Sequence, residues 1–331
     1  MKKFTMVMTC LLAMAGIVFA NGATENGSVA PEDRYPERSI TLVCPAKTGG
    51  DMDQISRVLA SALTKKLGVS VVVQNMGENG GNAGVQYALK QDPDGYTYVL
   101  FNGIYFTGII ANKFDPAIDN QFEIALTAAK ADNQILVVDA KSDITTPKSM
   151  AEKIKMEPGT VKFAATLGSP SQFHAVATEK AMDGKFKKVD VASGSSKLVA
   201  LLSGEVDVVS STQSLVKDYV TKGQIAIVGS ICSERSALYP DTPTFKEEGY
   251  DLGPDFAATY MILAKKGTNP AFEAKFAQGV ADVMQDPEIL EQLKGLGYTP
   301  AVRVGQEAVE WKSKMFDQFN SMAEAIHNDK W

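Results

Sequence analysis

The sequence predicts an α/β protein with a largely parallel sheet, laid down in two units. Short runs of β-branched and aliphatic residues alternate with segments whose apolar residues recur at three- and four-residue intervals. Turns rich in glycine, proline and serine separate them. One arrangement, a strand followed by a small polar turn and a helix, occurs over residues 39–57 and again over 161–181. Strands alternating with helices at this spacing are the pattern of βαβ units.

The first of these stretches sets the pattern. Ile40, Leu42 and Val43 supply strand-forming bulk, and Pro45 stops the strand. Gly49 and Gly50 open backbone angles closed to other residues, and Ile55, Val58, Leu59 and Leu63 then fall on one helical face. A glycine turn feeding a helix leaves backbone N–H groups unpaired at the positive end of the helix dipole, which suits an anion. An ordinary strand-to-helix connection looks the same locally, so both readings stand at this point. Asp53 is expected as the N-cap, with Asp51 beside it complementing the dipole.

Further strands are expected at 69–73 and 98–101, flanking a glycine-dense loop at 75–84, a helix at 85–90 and a Pro-Asp-Gly turn at 93–97. Residues 104–121 read as a looser region. Strands follow at 134–139, 161–165, 206–210, 224–231 and 256–263, with helices at 149–155, 174–181, 198–202 and 214–221. The tail is helical from Pro270, where Phe272, Phe276, Val280, Val283 and Met284 share a face. A last helix is expected from 306 to about 327, with Trp311, Met315, Phe319 and Met322 packed against a domain. In open α/β sheets ligands bind beyond the carboxyl ends of the strands, so two such edges facing each other would make a cleft.

The chain has 331 residues, 45% hydrophobic and 22% charged, the balance of a globular protein. It opens Met1-Lys2-Lys3 and continues with an uncharged apolar run over 4–20 ending Val18-Phe19-Ala20, the pattern of a secretory signal cleaved after Ala20. An uncleaved anchor is the alternative. Residues 21–34 are polar and read as a flexible leader. The chain is thus expected to be exported from the cytoplasm. The formal charge of −6 becomes two units more negative without Lys2 and Lys3, which argues against nucleic acid. Cys44 and Cys232 could form a disulfide in an oxidising compartment, but each sits in an apolar, strand-like run, and two buried thiols are the favoured reading.

Catalysis finds little footing. His174 and His327 are the only histidines, and no Gly-x-Ser-x-Gly elbow, Cys/His metal spacing or Walker loop occurs. No catalytic residue, metal or cofactor is expected, and His174 reads as a helix-surface or interdomain residue.

Several motifs together resemble the extracytoplasmic solute receptors of tripartite tricarboxylate transporters, the Bug family. They are Pro45–Arg57, Asn75 with Gly80, Gly81 and Gly84, Pro93-Asp94-Gly95-Tyr96-Thr97, Leu201-Leu202-Ser203-Gly204-Glu205-Val206-Asp207, and Pro240-Asp241-Thr242-Pro243-Thr244. The resemblance covers nearly the whole chain after the expected signal segment. It implies a type II periplasmic binding fold, with two α/β domains (35–137 with 255–331, and 138–254), a two-strand hinge near 134–138 and 256–263, and a ligand cleft between. It further implies a periplasmic monomer that delivers a small organic carboxylate, a di- or tricarboxylate, to membrane transporter subunits. A ligand-sensing receptor for a signalling protein, or a receptor for a polar or cationic solute, is the alternative. Carried over from the family, the first-domain site is Thr48, Gly49, Gly50, Asp51, Met52 and Asp53 with Asn102, Gly103 and Tyr105. The second-domain site is Leu167, Gly168, Ser169 and Ser171 with Ser193, Ser210, Ser211 and Thr212.

This chain departs from the family pattern at the site itself. Asp51 stands where the family has a third glycine, Met52 where it has threonine, Pro170 in a glycine-serine turn, and Ala258 where an aromatic is usual. An acidic side chain at position 51 repels a carboxylate unless something offsets it, and Lys47, new at an alanine position, is the expected offset.

Overall fold

The computed structural model describes residues 31–331 apart from 192, 237 and 330; the expected signal segment, its cleavage at Ala20 and residues 21–30 of the polar leader lie outside the described residues. A single helical turn, α1, occupies Pro31–Arg34.

From Tyr35 onward the described strands form two sheets. The first has the order β11-β4-β10-β3-β1-β2. Strands β1 (Ile40–Cys44), β2 (Val71–Asn75) and β3 (Thr97–Phe101) run parallel. They are linked by α2 (Asp51–Leu67) and α3 (Asn82–Lys90), as βαβ crossovers require. β4 (Phe122–Ala131), β10 (Ala258–Lys265) and β11 (Thr299–Val304) complete the sheet with antiparallel pairings. The second sheet has the order β7-β6-β8-β5-β9. Its strands are β5 (Gln134–Asp139), β6 (Lys162–Ala165), β7 (Lys187–Asp190), β8 (Val208–Thr212) and β9 (Ile225–Ser230). α5 (Pro147–Met156), α6 (Pro170–Met182), α7 (Gly194–Leu202) and α8 (Gln213–Thr221) connect them.

Four elements escape the sequence expectation. β4 reads Phe-Glu-Ile-Ala-Leu-Thr-Ala-Ala-Lys-Ala and is buried on both faces, so it shows no two-residue alternation, and its alanines favour helix. Pairing with β10 along its length makes it a strand. β7 and β11 are edge strands carrying charge or proline, where the pattern is weakest. Within the expected loose region, α4 (Ile104–Ile110) is buried from Tyr105 to Ile110, too uniformly apolar to show a helical stripe. The expected last helix is two, α11 (Gly305–Asn320) and α12 (Ala323–Asn328), after α9 (Pro270–Val283) and α10 (Pro287–Gly295).

The chain leaves the first sheet at the end of β4 and enters the second at β5, so it crosses at Asp132 and Asn133, ahead of the expected division at 138. β5 pairs only with β8 and β9 among the described strands. The chain returns between β9 and β10, and a third segment crosses at the C-terminus. There Asp329 accepts from Lys188 Nζ (2.7 Å) and Gln172 Nε2 (2.9 Å), and buried Lys188 is also bonded to buried Glu179. Aromatic rings join the two halves of the core: Phe319 of α11 lies 5.7 Å from Phe106, 6.1 Å from Phe173 and 5.7 Å from Phe256. Cys44 and Cys232 are free and buried, the favoured of the two cysteine readings.

Candidate functional site

Both sheets send the carboxyl ends of their parallel strands toward one cleft of about 760 Å³. A second cavity, of about 300 Å³, has its Asp255 and Arg303 already engaged by Ser233 and Glu307. On the first-sheet side the cleft is walled by Gly49, Gly50 and Asp51 after β1, and by Asn102 and Gly103 after β3. On the other side stand Ser169 and Ser171 after β6, Ser193 after β7, and Ser210, Ser211 and Thr212 at the end of β8. The structure therefore brings these expected residues to one place.

The remaining expected residues stand elsewhere, each for a physical reason. Met52 is buried in the core beneath α2, because it follows Asp51 on a helix whose next face turns inward. Asp53 is buried too, and it is not the N-cap: α2 starts after Gly50, which makes no side-chain cap. Its carboxylate instead accepts from the Gly49 N–H (2.9 Å), Asn75 Nδ2 (2.9 Å) and Arg57 Nε (3.0 Å), fastening the glycine turn to α2 and β2. Burial raises the pKa of Asp53, but these donors outweigh it and leave the carboxyl below its ordinary value. Tyr105 is fully buried and donates its hydroxyl to Asp119 (2.7 Å). Leu167 is exposed outside the cleft, Gly168 packs against the Lys113 side chain, and Thr48 is exposed on the turn. Lys47 is exposed, does not line the cleft and makes no ion pair with Asp51. Asp51 therefore stands without the expected offset.

The cleft also holds residues that sequence reasoning missed, and Lys197 leads them. It lies on the first turn of α7, is only 7% exposed, and donates from Nζ to Ser171 Oγ (2.7 Å). No carboxylate pairs with it among the described residues. Burial pulls its pKa down from the usual lysine value to about 8, although Asp190 pulls the other way. Ser171 Oγ also accepts the Thr166 N–H (3.0 Å) and lies 2.8 Å from Ser169 Oγ, which donates to the Thr166 carbonyl (2.8 Å). These hydroxyls form a relay that holds the ammonium in place. His174 lines the same wall, its ring edge-on to Phe256 at 4.7 Å and its Nδ1 buried without a partner. Burial, then the neighbouring Lys197 charge, depress its pKa to about 3, so the ring is neutral. It has no acid partner and faces the cleft rather than the helix surface. Pro170 occupies the first turn of α6, where its missing N–H costs little. Gln54, Gln134, Phe256, Ala258 and Phe319 complete the lining, and Phe256 supplies an aromatic two residues before Ala258. The one signal for Lys197 was a cation three residues into a helix opened by Ser193 at the end of an expected strand-helix unit.

Asp51 is half-buried on the opposite wall. Among the described residues its carboxylate has no hydrogen-bond or ion-pair partner, and burial raises its pKa. No cluster of metal-ligating side chains occurs among the described residues, and none of their helices is long and apolar enough to cross a membrane.

The sequence profile of the "Tripartite tricarboxylate transporter family receptor" matches residues 55–327. Protein BugT of Bordetella pertussis is 28% identical over 304 residues, covering 90% of this chain and 91% of BugT. Among solved structures, MatC from Rhodopseudomonas palustris with bound malate has a TM-score of 0.70 at 21% identity, covering 88% of this chain and 99% of that one. A second Rhodopseudomonas palustris protein, with adipate, has a TM-score of 0.70 at 22% identity, covering 88% of this chain and 97% of that one. The fold of these structures is the two-sheet, cleft-forming arrangement described above. With the profile running from the first helix after the glycine turn to the C-terminal helix, the chain belongs to the tripartite tricarboxylate transporter receptor family.

Proposed function

We propose that this receptor captures a small organic carboxylate in the cleft and delivers it, from the periplasm and as a single chain, to the membrane subunits of a tripartite tricarboxylate-type transporter. The observation that carries the reading is Lys197, a buried ammonium on the cleft wall with a hydroxyl partner but no carboxylate. A buried cation is costly until an anion joins it. A ligand carboxylate supplies that anion, with the hydroxyls of Ser193, Ser195 and Ser210 around it. Malate and adipate, bound by the two Rhodopseudomonas palustris proteins, are ligands of this chemistry. The domains hinge where the chain crosses, at Asp132–Asn133 and near Phe256–Ala258, so that closure excludes water and strengthens the polar contacts. The bound molecule leaves unchanged: among the described residues His174 has no acid partner, and Lys197, an ammonium at pH 7, donates to Ser171 Oγ and so does not serve that hydroxyl as a base.

Calorimetry with mono-, di- and tricarboxylates, on wild type and Lys197→Met, tests this. Truncating one partner of a buried charge pair costs about 2–5 kcal/mol, so the variant should bind at least roughly 30-fold more weakly. The proposal fails if only neutral or cationic solutes bind, or if Lys197→Met binds carboxylates as tightly as wild type.

A further inference from the structure

The distribution of charge in the cleft narrows the ligand further. Among the described side chains lining it, the acidic one is Asp51 and the cationic one is Lys197, since the His174 ring is neutral. They stand on opposite walls, Asp51 at the start of α2 beside the first sheet and Lys197 on α7 beside the second. Neither has an ion-pair partner among the described residues, and the Asp51 carboxylate has no hydrogen bond. The two most deeply buried acids among the described residues are engaged, Asp53 by three donors and Glu179 by Lys188 and the Phe186 N–H; outside the cleft, Asp132 and Glu273 each keep one buried carboxylate oxygen without a partner. Two opposite charges left open on facing walls are therefore a feature of the cleft. Apolar surface from Ile104, Phe256 and Phe319 also lines it.

A dicarboxylate would answer Lys197 and set its second carboxylate against Asp51. A ligand with one anionic and one cationic end answers both. We infer that the ligand is an aminocarboxylate, with its carboxylate seated on Lys197 and its ammonium on Asp51. The inference rests on the carboxylate reading above and adds the second pole. The N-terminus of α2, by itself an anion site, is already supplied with an anion by Asp51, so the first-sheet wall is left facing a cation.

Calorimetry at pH 7 with matched probes tests this. Succinate is set against 3-aminopropanoate, glutarate against 4-aminobutanoate, and 4-methylpentanoate and 3-phenylpropanoate against leucine and phenylalanine. In the pair that fits, the aminocarboxylate should bind at least roughly tenfold tighter, the scale of one close charge contact. Asp51→Asn should erase that preference, and Asp51→Gly should in addition tighten dicarboxylate binding. Each variant's melting temperature is measured in parallel to confirm folding. Lys197→Met should weaken every carboxylate probe. If dicarboxylates bind tighter in wild type, with a preference that Asp51→Asn leaves unchanged, the aminocarboxylate inference is overturned. Loss of that binding in Lys197→Met would then leave the carboxylate reading standing. If simple alkylamines bind and Lys197→Met is indifferent, the carboxylate reading itself falls.

Discussion

Replacing Lys197 by methionine should make the ligand-free receptor more stable while disabling it. The side chain is 7% exposed, so solvent screens its charge little. Its pKa of about 8, against an ordinary 10.5, means that the folded protein holds the ammonium less favourably than the unfolded chain does. The difference corresponds to about 3 kcal/mol at pH 7. Methionine has similar length and fills the same space, and its loss of the bond to Ser171 returns about 1 kcal/mol of that gain. A net stabilisation of about 2 kcal/mol raises the Tm by several degrees in a protein of this size. The sign with pH follows from the lowered pKa. The penalty is full below pH 8 and fades as pH rises toward 10.5, where the folded protein has lost a proton that the unfolded chain still binds. The gap between variant and wild type should therefore close between pH 8 and 10.5. A bound carboxylate favours the charged lysine, so above pH 8 binding takes up a proton and weakens by about tenfold per pH unit. Guanidinium unfolding of ligand-free protein at pH 7 and 10, with calorimetry in two buffers of different ionisation enthalpy, measures each quantity. A Lys197→Met protein less stable than wild type at pH 7, or carboxylate binding flat from pH 7 to 10, would refute the reasoning.

Asp53→Asn should loosen the glycine turn, because it removes the charge from an acceptor of three hydrogen bonds. We expect a loss of about 1.5–3 kcal/mol at pH 7, read by denaturant melts. The folded pKa of Asp53 is lowered, so this stabilisation is present above the ordinary carboxylate range and is lost as pH falls through it; the two proteins should converge in strong acid. Burial raises the pKa of both Cys44 and Cys232, the latter to about 12, so neither thiol should react promptly with a disulfide reagent in native protein at pH 8. Both should titrate at once in unreduced, denatured protein; a signal of fewer than two would mean that they are bonded.

The frame of the site was legible because it rests on local chemistry. A strand, a stop and a pair of glycines placed Gly49–Asp51 at a sheet edge, and the small polar turn after β6 placed Ser169 and Ser171 at the other. What failed was the direction in which a side chain points. Met52 and Asp53 follow Asp51 in sequence, yet helical steps of about 100° each, one for Met52 and two for Asp53, carry them from the cleft wall into the core. Asp53, expected as a cap, is the brace of the turn, because Arg57 and Asn75 approach it from α2 and β2. β4 was invisible because burial on both faces removes the alternation that marks a strand, and its partners β10 and β11 lie far along the chain.

The sequence by itself determined the α/β class, the repeated strand-turn-helix units and the family, because each is written in short spacings that survive without tertiary context. It also exposed Asp51 as an acid at a site for anions. Only the tertiary structure decided what that means. Lys197 is about 146 residues further along the chain, and nothing in a linear pattern says that it faces Asp51 across a cleft or that it is buried with a hydroxyl partner and no carboxylate among the described residues. Charge complementarity is a property of distances through space, and folding two sheets edge to edge is what sets them.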